Sequence, residues 1–325
     1  DDSLRGMVAL KNIDKGDTIL DIPYELAWNL GMESSDPTLP GITVLQDYLK
    51  QTGASTDVKN DDNNNNQGNK RADYLTMMPK FMSEDCLGST DFFSETALEA
   101  LQSPLIVEET KYRQQLSELR FERDIKPLLS NELFLWKETN QPVTEQHLRW
   151  AVWLVTSRVL TVQGDIPTQK YRLMIPLIDM CNHDRQSPHV LTGRAVAGGR
   201  LKVTAGCNIQ LGQQINICYG GGVVGNDRFV QDYAFLDADE KAYDIVAKIL
   251  TGRQRILEGK NIDRPTLLAV SDRQLAMESL QQTTIEQDQT LLKEDDNNTL
   301  MSNDMKSAIQ YRLGVKLALQ KLGDF

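Results

Sequence analysis

The spacing of apolar positions changes several times along the chain, and each change marks a different kind of element. Near the start, Met7-Val8-Ala9-Leu10 is a short apolar run. Asp14-Lys15-Gly16-Asp17 follows with turn chemistry, and Gly16 is free to take a positive φ. Thr18–Ile22 then reads as a second strand that Pro23 stops. From about Leu45 to Leu160 the intervals lengthen to those of helices. Glu95–Leu129 mixes charged and apolar residues at helical spacing, and Thr144 is placed to cap a helix running to Leu160. On that helix Leu148, Val152, Val155 and Val159 form one apolar stripe, and Arg158 sits near the C-terminal end, where a cation complements the macrodipole. Lys59–Lys70 (KNDDNNNNQGNK) interrupts this region with no residue able to join a core, which predicts a disordered surface insertion.

Strand patterns return after Tyr171. Arg194–Ala197 and Leu201–Thr204 flank Gly198-Gly199, which predicts a compact hairpin. The segment NIQLGQQINICYG, Asn208–Gly220, echoes NIDKGDTI of Asn12–Ile19 and suggests two similar turn-then-strand units on either side of a helical insert. Beyond about Asp237 the pattern is helical again. Ile309, Leu313 and Leu317 step by four after Met305, Gly323 is placed as a C-cap, and Lys293–Asn298 reads as a solvated linker. These residues predict a separate C-terminal helical domain.

Composition narrows the function. The 325 residues carry 35 Lys and Arg against 46 Asp and Glu, a formal charge of −11, which argues against a nucleic-acid surface. The four cysteines, Cys86, Cys181, Cys207 and Cys218, lack metal-ligand spacing and read as reduced intracellular thiols. No apolar run is long enough to span a membrane. The chain begins at Asp1 rather than a methionine, so a processed or trimmed form is expected and a targeting segment could have been lost.

Three polar and aromatic clusters remain: Asn182-His183 at the end of PLIDMCNHD, Tyr219-Gly220 at the end of LGQQINICYG, and Tyr233 in DYAF. Each alone reads as an ordinary structural feature. Together and in this order they resemble the C-terminal part of the SET domain of protein methyltransferases. LRGMVALKNIDKGDTILDIP resembles that family's N-terminal β unit. YLTMMPKFMSEDC and WAVWLVTSRVL resemble the middle of the class like the Rubisco large-subunit lysine methyltransferase, in which a helical insertion splits the SET domain.

The resemblance implies an α+β fold: a SET-domain β-fold of short strands and small sheets over 1–237, a helical insertion over about 40–170, and a C-terminal α-helical substrate-binding domain over 238–325. It implies S-adenosylmethionine as cofactor, S-adenosylhomocysteine as product, and no metal. Asn182 and His183 would line the cofactor pocket, with Ser3, Leu4 and Arg5 in the N-terminal turn. Ser157 and Arg158 would face the cofactor's carboxylate, to which an arginine is suited. Asp179 matches an acidic position in a less defined role. Tyr219 and Tyr233 match the tyrosines beside the methyl-transfer channel, Tyr219 also touching the cofactor. Two departures stand out: Leu4 takes the place of a glycine, and Tyr233-Ala234-Phe235 replaces Tyr-Gly-Phe.

The implied activity is protein-lysine N-methylation of a non-histone protein, since the cysteine-rich tail of histone-directed relatives is missing. Protein-histidine methylation on the same architecture and a non-catalytic SET-like binding module are the alternatives. Retention of Asn182 and Tyr233 favours an enzyme. The three histidines, His147, His183 and His189, are too few for a metal hydrolase built on Asn-His-Asp, and no Gly-Lys-Ser/Thr follows the glycines of Gly220–Gly225 to make a phosphate loop. The expected partner is a substrate protein held by the helical domain and the SET cleft, with neither nucleic acid nor membrane. The chain is expected to be a soluble intracellular monomer, with cytosol, nucleus and chloroplast stroma all open.

Overall fold

The echo between Asn12–Ile19 and Asn208–Ile215 is a local twofold pseudo-symmetry. Asn12 Oδ1 accepts the Leu211 N–H at 2.8 Å, and Asn208 Oδ1 accepts the Lys15 N–H at 2.8 Å. Ile13 and Ile209 exchange both backbone hydrogen bonds at 2.9 Å. Gly16 N–H reaches Ala205 O and Gly212 N–H reaches Ala9 O, each at 2.8 Å. The two glycines have φ of +96° and +83°, which a side chain would oppose. Each Asn side chain thus supplies the acceptor that the other segment's turn lacks.

The computed structural model describes residues 5–34, 36–52, 71, 73–129, 135–136, 138–257, 265–298 and 301–325. Two compact units comprise 1–36 with 158–223, and 37–157 with 224–325. The segment 59–70 lies outside the described residues.

In the first unit, strands β1 (Met7–Val8), β2 (Thr18–Pro23), β3 (Trp28–Met32), β4 (Leu160–Gln163), β5 (Lys170–Met174), β6 (Asn182–His183), β7 (Val190–Thr192), β8 (Arg200–Thr204) and β9 (Gln214–Ile217) build small sheets. β9 lies between β1, antiparallel with Met7 opposite Ile215, and β6, parallel with Asn216 opposite Asn182. β8 lies between β2 and β7, and β5 between β3 and β4, all antiparallel. Leu173, Ile175, Ile178, Cys181, Leu201, Val203, Ile215 and Ile217 meet in its core. β1 is shorter than the apolar run Met7–Leu10, because Ala9 already makes the first contact of the pseudo-symmetric turn.

The hairpin expected across Gly198-Gly199 uses a different strand. β7 pairs with β8, Lys202 opposite Thr192, and 193–199 form the loop. Ala195 explains the change. It is buried, and its N–H donates to Gln163 O at 2.8 Å, drawing 194–197 away from β8.

The second unit is helical. α1 (Thr38–Thr52), α2 (Glu95–Ala100), α3 (Pro104–Arg120), α4 (Glu145–Arg158), α5 (Glu240–Leu250), α6 (Val270–Leu280), α7 (Ile285–Asn298) and α8 (Asn303–Leu322) are its longer elements. α2 and α3 are separate because Pro104 opens α3 and Gln102 takes a φ of +52° before it. Residues from α2, α3, α5, α6 and α8 share one core that includes Phe93, Leu98, Leu101, Ile106, Val246, Tyr311, Val315 and Leu319. α4 ends at Arg158 rather than Leu160, since Leu160 opens β4. Its apolar face is wider than one stripe: Trp150, Ala151, Trp153 and Leu154 are buried along with Leu148, Val152 and Val155, while Val159 is half-buried.

Lys293–Asn298 is not a linker but the last part of α7. Asp295 there is buried, accepts the Met301 N–H at 2.8 Å and pairs with Lys306 at 3.0 Å. On the same helix Asp288 receives Arg312 and Lys316 of α8, each at 2.7 Å. Gly323 closes α8 in the left-handed conformation, with φ of +77°.

Candidate active site

In the first unit the site grows from the stretch between β5 and β6. Leu177 is held at φ +70°, ψ −41°, an unfavourable conformation for a branched side chain that costs about 1–3 kcal/mol. It turns the chain into a short 3-10 helix, Ile178–Met180, and one carbonyl within it and one just after it anchor two side chains. Arg158 Nη1 donates to Asp179 O at 3.0 Å. The Tyr219 hydroxyl donates to Cys181 O at 2.6 Å.

The Asn-His pair follows at once as β6. Asn182 Nδ2 donates to Arg5 O at 2.7 Å, tying the N-terminal segment to the strand. Gly6 leaves room beside it: a Cβ there would stand 2.7 Å from Asn182 Nδ2 and from Gln214 Nε2, and those side chains would have to shift. His183 Nδ1 accepts the Tyr219 N–H at 3.0 Å, which puts the imidazole proton of the neutral ring on Nε2. The His183 and Tyr219 rings lie 5.1 Å apart and tilted. Tyr219 is therefore fixed at both ends, by its amide and by its hydroxyl.

Burial pushes the Tyr219 phenol up to about 12, with the Arg158 cation opposing the shift. Its one hydroxyl hydrogen is directed at Cys181 O, so toward any further group the oxygen can act only as an acceptor. Burial likewise raises the Cys181 thiol to about 12, which keeps it a thiol. Beyond Tyr219, Gly220, Gly221 and Gly222 take φ of +58°, +62° and +77°, and Arg185 Nη1 donates to Gly222 O at 2.7 Å.

Arg5, Arg158, Asp179, Asn182, His183 and Tyr219 are thus joined within the first unit. Ser3 and Leu4 lie outside the described residues. Ser157 and Tyr233 belong to the second unit. The Ser157 hydroxyl donates back along its own helix to Trp153 O at 2.8 Å, leaving its lone pairs as the groups on offer. Tyr233 ends a π-helical turn, Phe229–Tyr233, its ring 5.4 Å from Phe229 and 6.3 Å from Phe235. Ala234 after it is left-handed at φ +66°, the conformation a glycine adopts freely.

The chain aligns with known structures over 98% of its length. It aligns with the SET domain of LSMT bound to methyllysine and AdoHcy at a TM-score of 0.60, with 19% identity over 98% of this chain and 83% of that one. Rubisco LSMT bound to AdoMet aligns at a TM-score of 0.58 with the same identity and coverage. The chain has the SET-domain fold. No protein-family model matches the sequence, and no curated protein does. The α+β class that the resemblance implied is that of this SET fold, with its small sheets and C-terminal helices.

Two buried polar atoms of this unit bear on what a ligand could offer. Arg158 Nε and Asn216 Oδ1 are buried and meet no hydrogen-bond partner among the described residues. A carboxylate answers the first and an ammonium or hydroxyl the second. Among the described residues no group of three His, Cys, Asp or Glu could hold a metal, and no helix is long and apolar enough to cross a membrane. Asn216, Leu177 and the Cys181 carbonyl were not among the residues singled out from the sequence. Asn216 had a usable signal, since it lies in the strand that leads to Tyr219. A main-chain carbonyl and a strained φ have none.

Proposed function

We propose that this protein is an S-adenosylmethionine-dependent protein-lysine N-methyltransferase acting on a non-histone protein. The observation that carries the reading is the doubly held Tyr219, between His183 and Cys181 on a SET fold. Arg158 would take the cofactor's carboxylate, Asn216 its ammonium, and the Asn182–His183 strand with the Arg5–Gly6 segment would form the pocket wall. The bound cofactor supplies an electrophilic methyl on a sulfonium.

The acceptor amine must arrive neutral, against a usual lysine pKa of about 10.4. Apolar and aromatic surroundings disfavour the ammonium by desolvation. Tyr219 acts as a fixed acceptor there. Its oxygen can receive an amine N–H or a polarised C–H. It is not the base, because the phenol stays protonated at neutral pH. Tyr233 is assigned the holding of the acceptor nitrogen on the strength of its place in the Tyr-Ala-Phe triplet. The helices of 238–325 are assigned the docking of the substrate protein, with 1–237 as the SET domain and about 40–170 as its insertion. The neighbouring LSMT structures bind lysine and methyllysine, which favours lysine over histidine as the acceptor here.

Incubation with labelled S-adenosylmethionine and a cell extract, followed by acid hydrolysis and amino-acid analysis, tests the reading. Label in methyllysine is expected. Label in methylhistidine would redirect the acceptor, and no label above a Tyr219→Phe control would remove the activity.

A further inference from the structure

The turn that carries Tyr233 is gripped from a distance on both sides of the tyrosine. Before it, the Ser89 hydroxyl donates to Gln231 O at 2.6 Å, and Ser89 is fully buried. Next, Arg113 Nη1 donates to Asp232 Oδ1 at 2.8 Å while its Nη2 donates to Asp91 Oδ2 at 2.7 Å. Arg113 is itself buried, and the two carboxylates fix its guanidinium in place. After the tyrosine, the Ala234 carbonyl approaches Gly88 so closely that a Cβ on Gly88 would stand 2.1 Å from its oxygen.

Gly88 is informative because its own backbone does not need a glycine. Its φ and ψ are −73° and −10°, ordinary right-handed values open to any residue. The missing side chain serves only the approach of Ala234. Three contacts therefore act on residues 231, 232 and 234, on both sides of position 233. The turn is π-helical, a form of local irregularity that is common at functional sites.

We propose that Gly88, Ser89 and Arg113 are positioning residues that set the orientation of Tyr233. This rests on the reading of Tyr233 as the residue that holds the acceptor nitrogen. They touch neither cofactor nor acceptor in this account. Gly88 and Ser89 act on the backbone of the turn and Arg113 through the Asp232 side chain, so their loss lowers turnover without weakening cofactor binding.

Gly88→Ala and Ser89→Ala test this in two independent ways, with fluorotyrosine placed at position 233 in each protein for fluorine NMR. In both variants, label transfer from saturating S-adenosylmethionine into the proteins of one fixed cell extract should fall about tenfold or more per folded molecule, since sub-ångström misplacement is costly. The calorimetric Kd for S-adenosylmethionine should stay within about twofold of the parent. The fluorine line should move or split. Unchanged rates with an unshifted line in both variants would overturn the proposal, and so would a loss of cofactor affinity matching the loss of rate. Should the parent protein transfer no label at all, the proposed activity fails instead. The fluorine spectra then decide the grip alone, and an unshifted line in both variants overturns it.

Discussion

Beyond their ring contacts, Tyr219 and Tyr233 are anchored from different places in the sequence. Tyr219 is fixed by its own atoms, its N–H on His183 and its hydroxyl on Cys181 O, both partners within one short sequence motif. Tyr233 is steered through its neighbours Gln231 and Asp232, by Ser89 and Arg113 from 142 and 119 positions away. A residue held by its own groups suffers when those groups are removed. A residue held through its backbone suffers from changes far off in sequence.

The largest effect is expected where the tyrosine's own hydroxyl is the anchor. Tyr219→Phe deletes the donor to Cys181 O and the fixed acceptor together, and single-turnover methyl transfer should fall about 100-fold or more with the fold retained. Tyr233→Phe removes one positioned hydrogen-bonding group but leaves the backbone grip intact, and a loss of about tenfold is expected in the same assay. A greater loss from Tyr233→Phe than from Tyr219→Phe would reverse the contrast.

The histidines sharpen the comparison on the stability side. All three accept a backbone N–H on Nδ1: His147 from Thr144, His183 from Tyr219 and His189 from Gly206. His147 lies deepest, packed 4.0 Å from Phe81 and 4.4 Å from Trp136, and its Nε2 is buried with no partner among the described residues. Burial pushes it down to about 4, against about 6.5 in an unfolded chain. A depressed folded value means that the stability is fully present above pH 6.5 and is lost as pH falls through 4. Urea unfolding should therefore show about 1–2 kcal/mol lost between pH 7 and pH 4 in the parent beyond that in His147→Asn, which keeps an acceptor for Thr144. Identical pH slopes in the two proteins would contradict a neutral buried His147.

The smallest effect concerns Ala234. Its left-handed φ is strained by the Cβ, so Ala234→Gly should raise unfolding stability by up to about 1 kcal/mol while leaving the methyl-transfer rate nearly unchanged. A marked fall in rate would mean that the alanine methyl itself, and not the grip on the turn, orients Tyr233.

What was legible in the sequence follows the same division. The repeated Asn-Ile-x-x-Gly turn, the Asn-His strand and the Tyr219 strand end are short and local, and each carries its own hydrogen-bonding logic. The pairing of β8 with β7 was hidden, because it depends on Ala195 preferring Gln163 across the fold. Lys293–Asn298 looked solvated because its residues are polar. Its helix is kept in place by Asp288, which meets Arg312 and Lys316 from another element, and charges four apart on α8 give no hint of that burial. The close approach of Gly88 to Ala234 is likewise invisible, since the glycine's own conformation is unremarked by any turn pattern.

The central claim is that the Asn182–His183 strand builds an S-adenosylmethionine pocket. Calorimetric titration of S-adenosylmethionine into the parent protein and into Asn182→Ala tests it most directly. One cofactor should bind per parent chain. In the variant, the tie to Arg5 O is lost, and affinity should fall by about 100-fold or more while circular dichroism and melting still report a folded chain. Equal affinity in the folded variant, or no binding to the folded parent, would contradict the account.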